Sequence, residues 1–156
     1  MKKLLLAAIV SLTTISSVAL AEIKVGIILG FTGPIETLTP AMRDSAKLAF
    51  AEVSASGALL GGETITPLIG DSTCVDSDAA VAAAELIVSD GAVAIMGADC
   101  SGVTGAIVTN VAVPNGVTMV SPSATSPGLT SLADNGLFFR TAPSDAKGGQ
   151  VLAQVA

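Results

Sequence analysis

From residue 22 onward, short apolar runs alternate with segments in which apolar residues recur at helical spacing. The first run, 23–29, is nearly continuous, as is typical of a central strand in a parallel sheet covered on both faces. Further apolar or β-branched runs predict four more strands, at residues 64–69, 92–96, 117–120 and 137–140. Glycine, proline and serine separate the runs, so the pattern divides the chain into regular units.

Helices are predicted in the intervals between these strands. Their predicted starts are Thr39 as an N-cap followed by Pro40, Asp76 or Ser77, a position near Ser101, and Ser144 or Asp145. The repeated order of strand and helix predicts an α/β fold with a doubly wound, mainly parallel sheet of the Rossmann or flavodoxin-like type. Because the last helical pattern runs to residue 156 without a closing strand, we expect the chain to be a fragment of a longer protein.

The first 21 residues have the layout of a secretory signal peptide. Two lysines follow Met1, residues 4–10 are apolar, and Ala19-Leu20-Ala21 matches the small-residue pattern of a cleavage site. The apolar segment is too short and too interrupted by hydroxyl residues to span a membrane. We therefore expect cleavage before Glu22 and export of one domain, residues 22–156, that is not inserted in a membrane.

Composition argues against several classes of function. The 156 residues include 7 basic and 13 acidic ones, and the net charge of −6 disfavours nucleic acid or an anionic membrane as a partner. The absence of histidine removes the Ser-His and Cys-His routes to an activated nucleophile, and also the commonest zinc ligand. We therefore expect a binding protein without metal or cofactor, and not an enzyme.

Three short patterns resemble other sites only in part. The glycines of 26–33 are not spaced as a dinucleotide-binding fingerprint. The sequence around Ser101 does not contain the first glycine of the nucleophile-elbow motif. The aspartates within residues 71–78 do not have the spacing of a calcium-binding loop, and the glycine of such a loop is missing. A flavodoxin-like cofactor-binding domain is the enzymatic alternative, which a chromophore in the purified protein would support.

The predicted export determines how the two cysteines, Cys74 and Cys100, are interpreted. In an oxidising compartment an even pair favours a disulfide over a metal or redox site. A bridge between them would contribute about 3.5 kcal/mol in the chain-entropy description. Two free buried thiols are the alternative.

Polar groups follow three predicted strands at the edge where parallel sheets bind ligands. Ser121–Pro127 follows the fourth strand, and its two prolines prevent it from continuing as strand or helix. Ser101 lies at a predicted helix N-terminus, which favours an anion such as a carboxylate. Thr125 offers a hydroxyl and an amide, and Ser123 offers a carbonyl for an ammonium group, so the set suits a zwitterion. The alternatives are a Ser/Pro turn and an ordinary N-cap.

Several motifs also occur in an order that resembles a known family. They are Ile23-Lys24-Val25-Gly26-Ile27, Thr32-Gly33-Pro34, Gly57-Ala58-Leu59-Leu60-Gly61-Gly62, Asp71-Ser72-Thr73-Cys74, Cys100-Ser101, the stretch Ser121–Pro127, Phe139-Arg140-Thr141 and Pro143-Ser144-Asp145. The series is similar to that of the leucine/isoleucine/valine-binding proteins, the type I periplasmic solute receptors of ABC transporters. The resemblance implies two α/β lobes that close over a ligand, of which this chain is the first, with the second lobe missing. It also implies a Cys74–Cys100 disulfide.

The same resemblance assigns roles to four residues. It implies that Ser101 and Thr125 hold the α-carboxylate and α-ammonium of an amino acid, and that the Ser123 carbonyl accepts from the ammonium. Leu38 stands where branched-chain amino-acid binders carry a tyrosine near the ligand side chain. Asp99 adds a carboxylate next to the anion site, which would weaken that site unless it points away or faces the ammonium. The second lobe's acidic partner for the ammonium is outside this chain.

The sequence therefore predicts the periplasmic substrate-binding component of an ABC transporter. The expected ligand is a small, branched-chain amino acid, and the expected partner is an inner-membrane ABC permease, with the full-length receptor a monomer. A sensory receptor module of the same fold is one alternative. Another is a binder of a different small polar solute, such as an amide or an organic acid.

Overall fold

The structure, a computed structural model, describes residues 22–156; the predicted signal peptide lies outside the described residues. Five parallel strands form one sheet in the order β2-β1-β3-β4-β5. The strands are β1 (Glu22–Leu29), β2 (Thr64–Asp71), β3 (Ala94–Gly97), β4 (Thr118–Ser121) and β5 (Phe138–Arg140). The predicted parallel α/β architecture is confirmed.

Helical segments connect the strands as the sequence pattern predicts. They are α1 (Thr39–Ser56), α2 (Ser77–Ser89), α3 (Ser101–Ile107), α4 (Val113–Asn115) and α5 (Asp145–Val155). A π-helical turn, Val108–Ala112, joins α3 to α4, and a 3-10 helix, Pro127–Ser131, precedes β5. Asp76 caps α2 through its carboxylate, Ser144 caps α5, and Gly57 ends α1 in the left-handed conformation, as predicted.

β3 begins two residues later than predicted, at Ala94, and β5 one residue later, at Phe138. Two other predicted boundaries are wrong for identifiable reasons. Leu38, and not Thr39, is the N-cap of α1, because the Thr39 hydroxyl donates to the Gly30 carbonyl at 3.0 Å instead of capping the helix. Residue 117 is not yet strand, because the Val117 amide donates to the Ala112 carbonyl at 2.9 Å and closes the preceding helical segment. The first contact joins the start of α1 to the residue that follows β1, and the second lies within the connection between α4 and β4.

The main core lies between the sheet and the layer formed by α2 and α3. Alternate strand residues point into it, among them Ile28, Ile95 and Met119, which are at most 1% exposed. Glycines let α2 approach the strands closely: a Cβ at Gly70 would lie 2.7 Å from Ile87 Cδ1. This packing holds the C-terminal ends of β1, β3 and β4 at fixed positions.

The opposite side of the sheet is covered less completely. Helix α1 packs beside β1 and β2. The C-terminal helix, α5, also leaves apolar residues uncovered: Val151, Leu152 and Val155 are 46%, 71% and 81% exposed. Within residues 22–156, no helix has the length and apolarity needed to cross a membrane.

Candidate ligand-binding site

The loops that follow β1, β2, β3 and β4 meet at the C-terminal edge of the sheet. Hydrogen bonds join them directly: Asp99 contacts the loop after β1, and Ser101 contacts the loop after β4. The clustering expected for the loops after β1, β3 and β4 is therefore confirmed, and the loop after β2 joins them. It follows from the parallel direction of the strands, which brings all four C-terminal ends to one edge.

Asp99 is buried, with 4% of its surface exposed. Oδ2 accepts from the Gly30 amide at 2.7 Å, and Oδ1 accepts from the Ser72 hydroxyl at 3.1 Å and from the Cys100 amide at 2.9 Å. Three donors thus compensate the cost of burying this charge. Asp99 thus joins the loops after β1 and β2 to its own loop, after β3.

The Cys74–Cys100 disulfide connects the loop after β2 to the residue that precedes Ser101. Its Cα atoms are 5.2 Å apart, and the bridge confirms the pairing expected from the sequence. Cys100 is also the N-cap of α3, and it makes no side-chain cap hydrogen bond. The bridge therefore fixes the position of Ser101 from its N-terminal side.

Ser101 and Thr125 lie against each other. The Ser101 hydroxyl oxygen accepts from the amides of Thr125 and Ser126, both at 3.1 Å. The serine is half-buried at the start of α3, so it belongs to a rigid helix and also orders the loop after β4. The structure thus brings together the two residues that were expected to hold the charged groups of a ligand.

Thr125 has a second partner on the other side. Its Oγ1 donates to Asp145 Oδ2 at 3.0 Å, and its carbonyl accepts from the Asp145 amide at 3.0 Å. The sequence analysis places Asp145 at the start of a helix and in the motif Pro143-Ser144-Asp145, without a role in the site. Its contact with Thr125 depends on how the chain returns after β5, which no local pattern reveals.

Ser123 is exposed beside this pair, and its hydroxyl donates to the Asp99 carbonyl at 2.9 Å. No described residue donates to the Ser123 carbonyl. Two other hydroxyls of this stretch are engaged within the chain. Ser121 is fully buried and donates to the Ala98 carbonyl, and Ser126 accepts from the Gly128 amide at 3.3 Å to cap the 3-10 helix.

Arg140, the last residue of β5, forms hydrogen bonds with the segment that follows β4. One guanidinium nitrogen donates to the Ala124 carbonyl at 3.2 Å and to the Ser126 carbonyl at 2.8 Å, and the other donates to the Thr130 hydroxyl. These contacts lie on both sides of Thr125 in the sequence. The sequence motif Phe139-Arg140-Thr141 contained this residue, but its role is visible only once β5 is placed beside β4.

Leu38 lies at the same edge and is 63% exposed. Its neighbour Thr39 donates to the Gly30 carbonyl, and the Gly30 amide donates to Asp99, which connects this position to the loop after β3. The surface also has an open depression of about 170 Å³, which is lined by none of the four expected ligand-binding residues. Its lining residues are Leu129, Thr130, Asp134, Phe138, Phe139 and Arg140. Ser101 and Thr125 thus line no part of it.

The model of the periplasmic binding protein family matches residues 22–156, so the chain belongs to that family. It is 34% identical over 128 residues to the Leu/Ile/Val-binding protein BraC3 of Rhizobium johnstonii, a match covering 82% of this chain and 34% of that protein. It is 33% identical over 135 residues to the leucine-, isoleucine-, valine-, threonine- and alanine-binding protein of Pseudomonas aeruginosa, covering 86% of this chain and 35% of that one.

A solved structure gives the same result. The branched-chain amino acid transporter substrate-binding protein LivJ from Streptococcus pneumoniae, determined in complex with isoleucine, superimposes with a TM-score of 0.71 at 29% identity. The match covers 80% of this chain and 35% of that protein. The chain thus spans about a third of the length of the relatives that it matches.

Proposed function

We propose that this chain is the first ligand-binding lobe of a periplasmic substrate-binding protein that delivers a small, branched-chain amino acid to an inner-membrane ABC permease. Cleavage of the N-terminal 21 residues would release it into the periplasm. It performs no catalysis; its work is binding and lobe closure. The names of its relatives support the ligand class, because those proteins are described as binding leucine, isoleucine and valine.

The observation that carries this proposal is the contact between Ser101 and Thr125. Both lone pairs of the Ser101 hydroxyl oxygen are occupied by backbone amides, so its proton is the group left for a ligand. A hydroxyl restricted in this way is a donor, and it suits a carboxylate. The Ser123 carbonyl, which accepts from no described residue, suits an ammonium group on the same ligand.

Leu38 completes the proposed site. Its exposed side chain stands at the same edge of the sheet, where it can contact an apolar ligand side chain. One open edge binds a ligand weakly by itself. A second lobe that closes over the same ligand would bury it, and the ligand would then stabilise the closed state by contacting both lobes.

Titration calorimetry on the complete gene product tests the ligand class. Leucine should bind at least tenfold more tightly than leucinamide, which lacks the carboxylate, and than 4-methylpentanoate, which lacks the ammonium. Ser101→Ala should weaken leucine binding about tenfold, because it removes a charge-assisted hydrogen bond. Ser89→Ala is the matched control, because the Ser89 hydroxyl only donates to the Leu86 carbonyl at the end of α2.

Tight binding of an uncharged solute, with no response to any amino acid, would overturn the proposal. We also propose a monomer in solution, which light scattering of the ligand-bound protein tests directly. A stable dimer at micromolar concentration would contradict that part alone.

A further inference from the structure

Thr125 and Asp145 are joined at two points. The Thr125 hydroxyl donates to the Asp145 carboxylate at 3.0 Å, and the Asp145 amide donates to the Thr125 carbonyl at 3.0 Å. The two bonds connect the loop after β4 to the first residue of α5. They fix both the backbone of Thr125 and the direction of its side chain.

The chemistry of the two groups determines where the proton lies. An ionised carboxylate only accepts hydrogen bonds, so the proton between these residues comes from the Thr125 hydroxyl. That hydroxyl has one proton and two lone pairs. Once the proton is committed to Asp145, only lone pairs remain for a ligand, and Thr125 Oγ1 can act toward it only as an acceptor.

Ser101 has the opposite polarity, and for the same kind of reason. Its oxygen accepts from the Thr125 and Ser126 amides, which can only donate, and this occupies both lone pairs. Its proton is therefore left for a ligand. Two neighbouring hydroxyls of similar chemistry thus present a donor and an acceptor at fixed positions.

Helix capping does not account for the Asp145 carboxylate. The N-cap of α5 is Ser144, whose hydroxyl oxygen accepts from the Ala146 amide at 3.3 Å. Asp78 occupies a similar first-turn position in α2, yet its carboxylate accepts no hydrogen bond from any described residue. The carboxylate of Asp145 is thus directed at Thr125 and is not required as a cap.

We propose that Asp145 is a positioning residue that selects for an ammonium group by holding the Thr125 hydroxyl as an acceptor. The inference rests on the function proposed above and names the feature that separates amino acids from the corresponding organic acids. A ligand with a second carboxylate in place of the ammonium would meet the lone pairs of Thr125 Oγ1, and the Thr125 hydroxyl would have no proton to donate to it. Asp145 itself need not touch the ligand.

A double-mutant cycle on the complete gene product tests this role, with leucine and 4-methylpentanoate as probes. Asp145→Ala should weaken leucine binding about tenfold, the loss expected for one charge-assisted hydrogen bond, and should change 4-methylpentanoate binding by less than about twofold. In a Thr125→Val background, the same substitution should have almost no further effect on leucine, because it acts through the missing hydroxyl. Asp78→Ala, which makes the same charge change in a comparable helix position, should alter neither affinity.

The possible results separate this inference from the proposed function. An unchanged preference for leucine over 4-methylpentanoate in Asp145→Ala would overturn the role of Asp145 alone. An equal loss for both compounds, or the same loss in the Thr125→Val background, would also overturn it, because a structural or independent electrostatic effect predicts those results. A parent protein that binds no amino acid overturns the proposed function, and this inference with it.

Discussion

The Asp99 carboxylate and the Gly30 amide, 69 positions apart in the chain, form a 2.7 Å hydrogen bond across the edge of the sheet. Asp99→Asn should lower the free energy of unfolding by about 1–3 kcal/mol, because an amide nitrogen replaces one acceptor and leaves a buried donor unpaired. Urea unfolding measures this directly. Asp134→Asn is the control, since among the described residues the Asp134 carboxylate accepts only from the Gly136 amide, in an exposed turn. Equal stability of the two variants would contradict the role assigned to Asp99.

Asp71 should make stability depend on pH in the acid range. Burial favours the neutral form of this carboxyl, but donation from the Thr32 hydroxyl and from the amides of Thr73, Thr32 and Phe31 outweighs burial and lowers its pKa. Because the pKa of Asp71 is lower in the folded protein than in the unfolded chain, the carboxylate stabilises the folded state. This stabilisation is complete above the pKa of the unfolded chain, about 3.9, and is lost as the pH falls through the pKa of the folded protein.

The measurement is the stability difference between the parent and Asp71→Asn as a function of pH. The difference should be constant from pH 7 to about 5 and should shrink below about 4. Asp78→Asn, which removes a carboxylate that accepts no described hydrogen bond, gives the background. A difference that grows on acidification would have the wrong sign for this explanation.

The disulfide should account for a large share of the stability of the site edge. Replacing Cys74 and Cys100 together by serine should lower the free energy of unfolding by about 3.5 kcal/mol, because the 26-residue separation sets the entropy that the bridge removes from the unfolded chain. Reduction of the parent with dithiothreitol should give the same loss and should leave the double variant unaffected. If dithiothreitol also destabilised the double variant, the loss of stability could not be attributed to the Cys74–Cys100 bridge.

Most of the fold was predictable because it depends on periodicity. Buried strands give continuous apolar runs, helices repeat every three to four residues, and parallel order follows from their alternation. The prediction also brought Ser101 and Thr125 to one edge. The direction of each side chain was not predictable in the same way.

Ser121 illustrates the difference. Its sequence context, between a strand and a proline, indicates an exposed hydroxyl, yet it is fully buried because the Ala98 carbonyl and the Ala124 amide satisfy it. Asp99 is similar, since its orientation depends on Gly30 and on Ser72, far away in the chain. Such contacts are set by the packing of loops from different strands, and no local pattern encodes them.

Arg140 should control the shape of the loop that carries Thr125. Its guanidinium donates to the carbonyls of Ala124 and Ser126 and to the Thr130 hydroxyl, a spread of acceptors that a single ammonium cannot match. Arg140→Lys should therefore lower the free energy of unfolding by about 1–3 kcal/mol.

The same substitution should weaken ligand binding without changing selectivity. Because Arg140 contacts the loop backbone on both sides of Thr125, leucine and 4-methylpentanoate should lose affinity by a similar factor, unlike the selective loss expected for Asp145→Ala. Arg43→Lys is the matched control, as Arg43 pairs at the surface of α1 with the adjacent Asp44 at 2.8 Å. If Arg140→Lys weakened the binding of leucine but not of 4-methylpentanoate, this prediction would be wrong. Arg140 would then affect recognition of the ligand's ammonium group, and not only the shape of the loop.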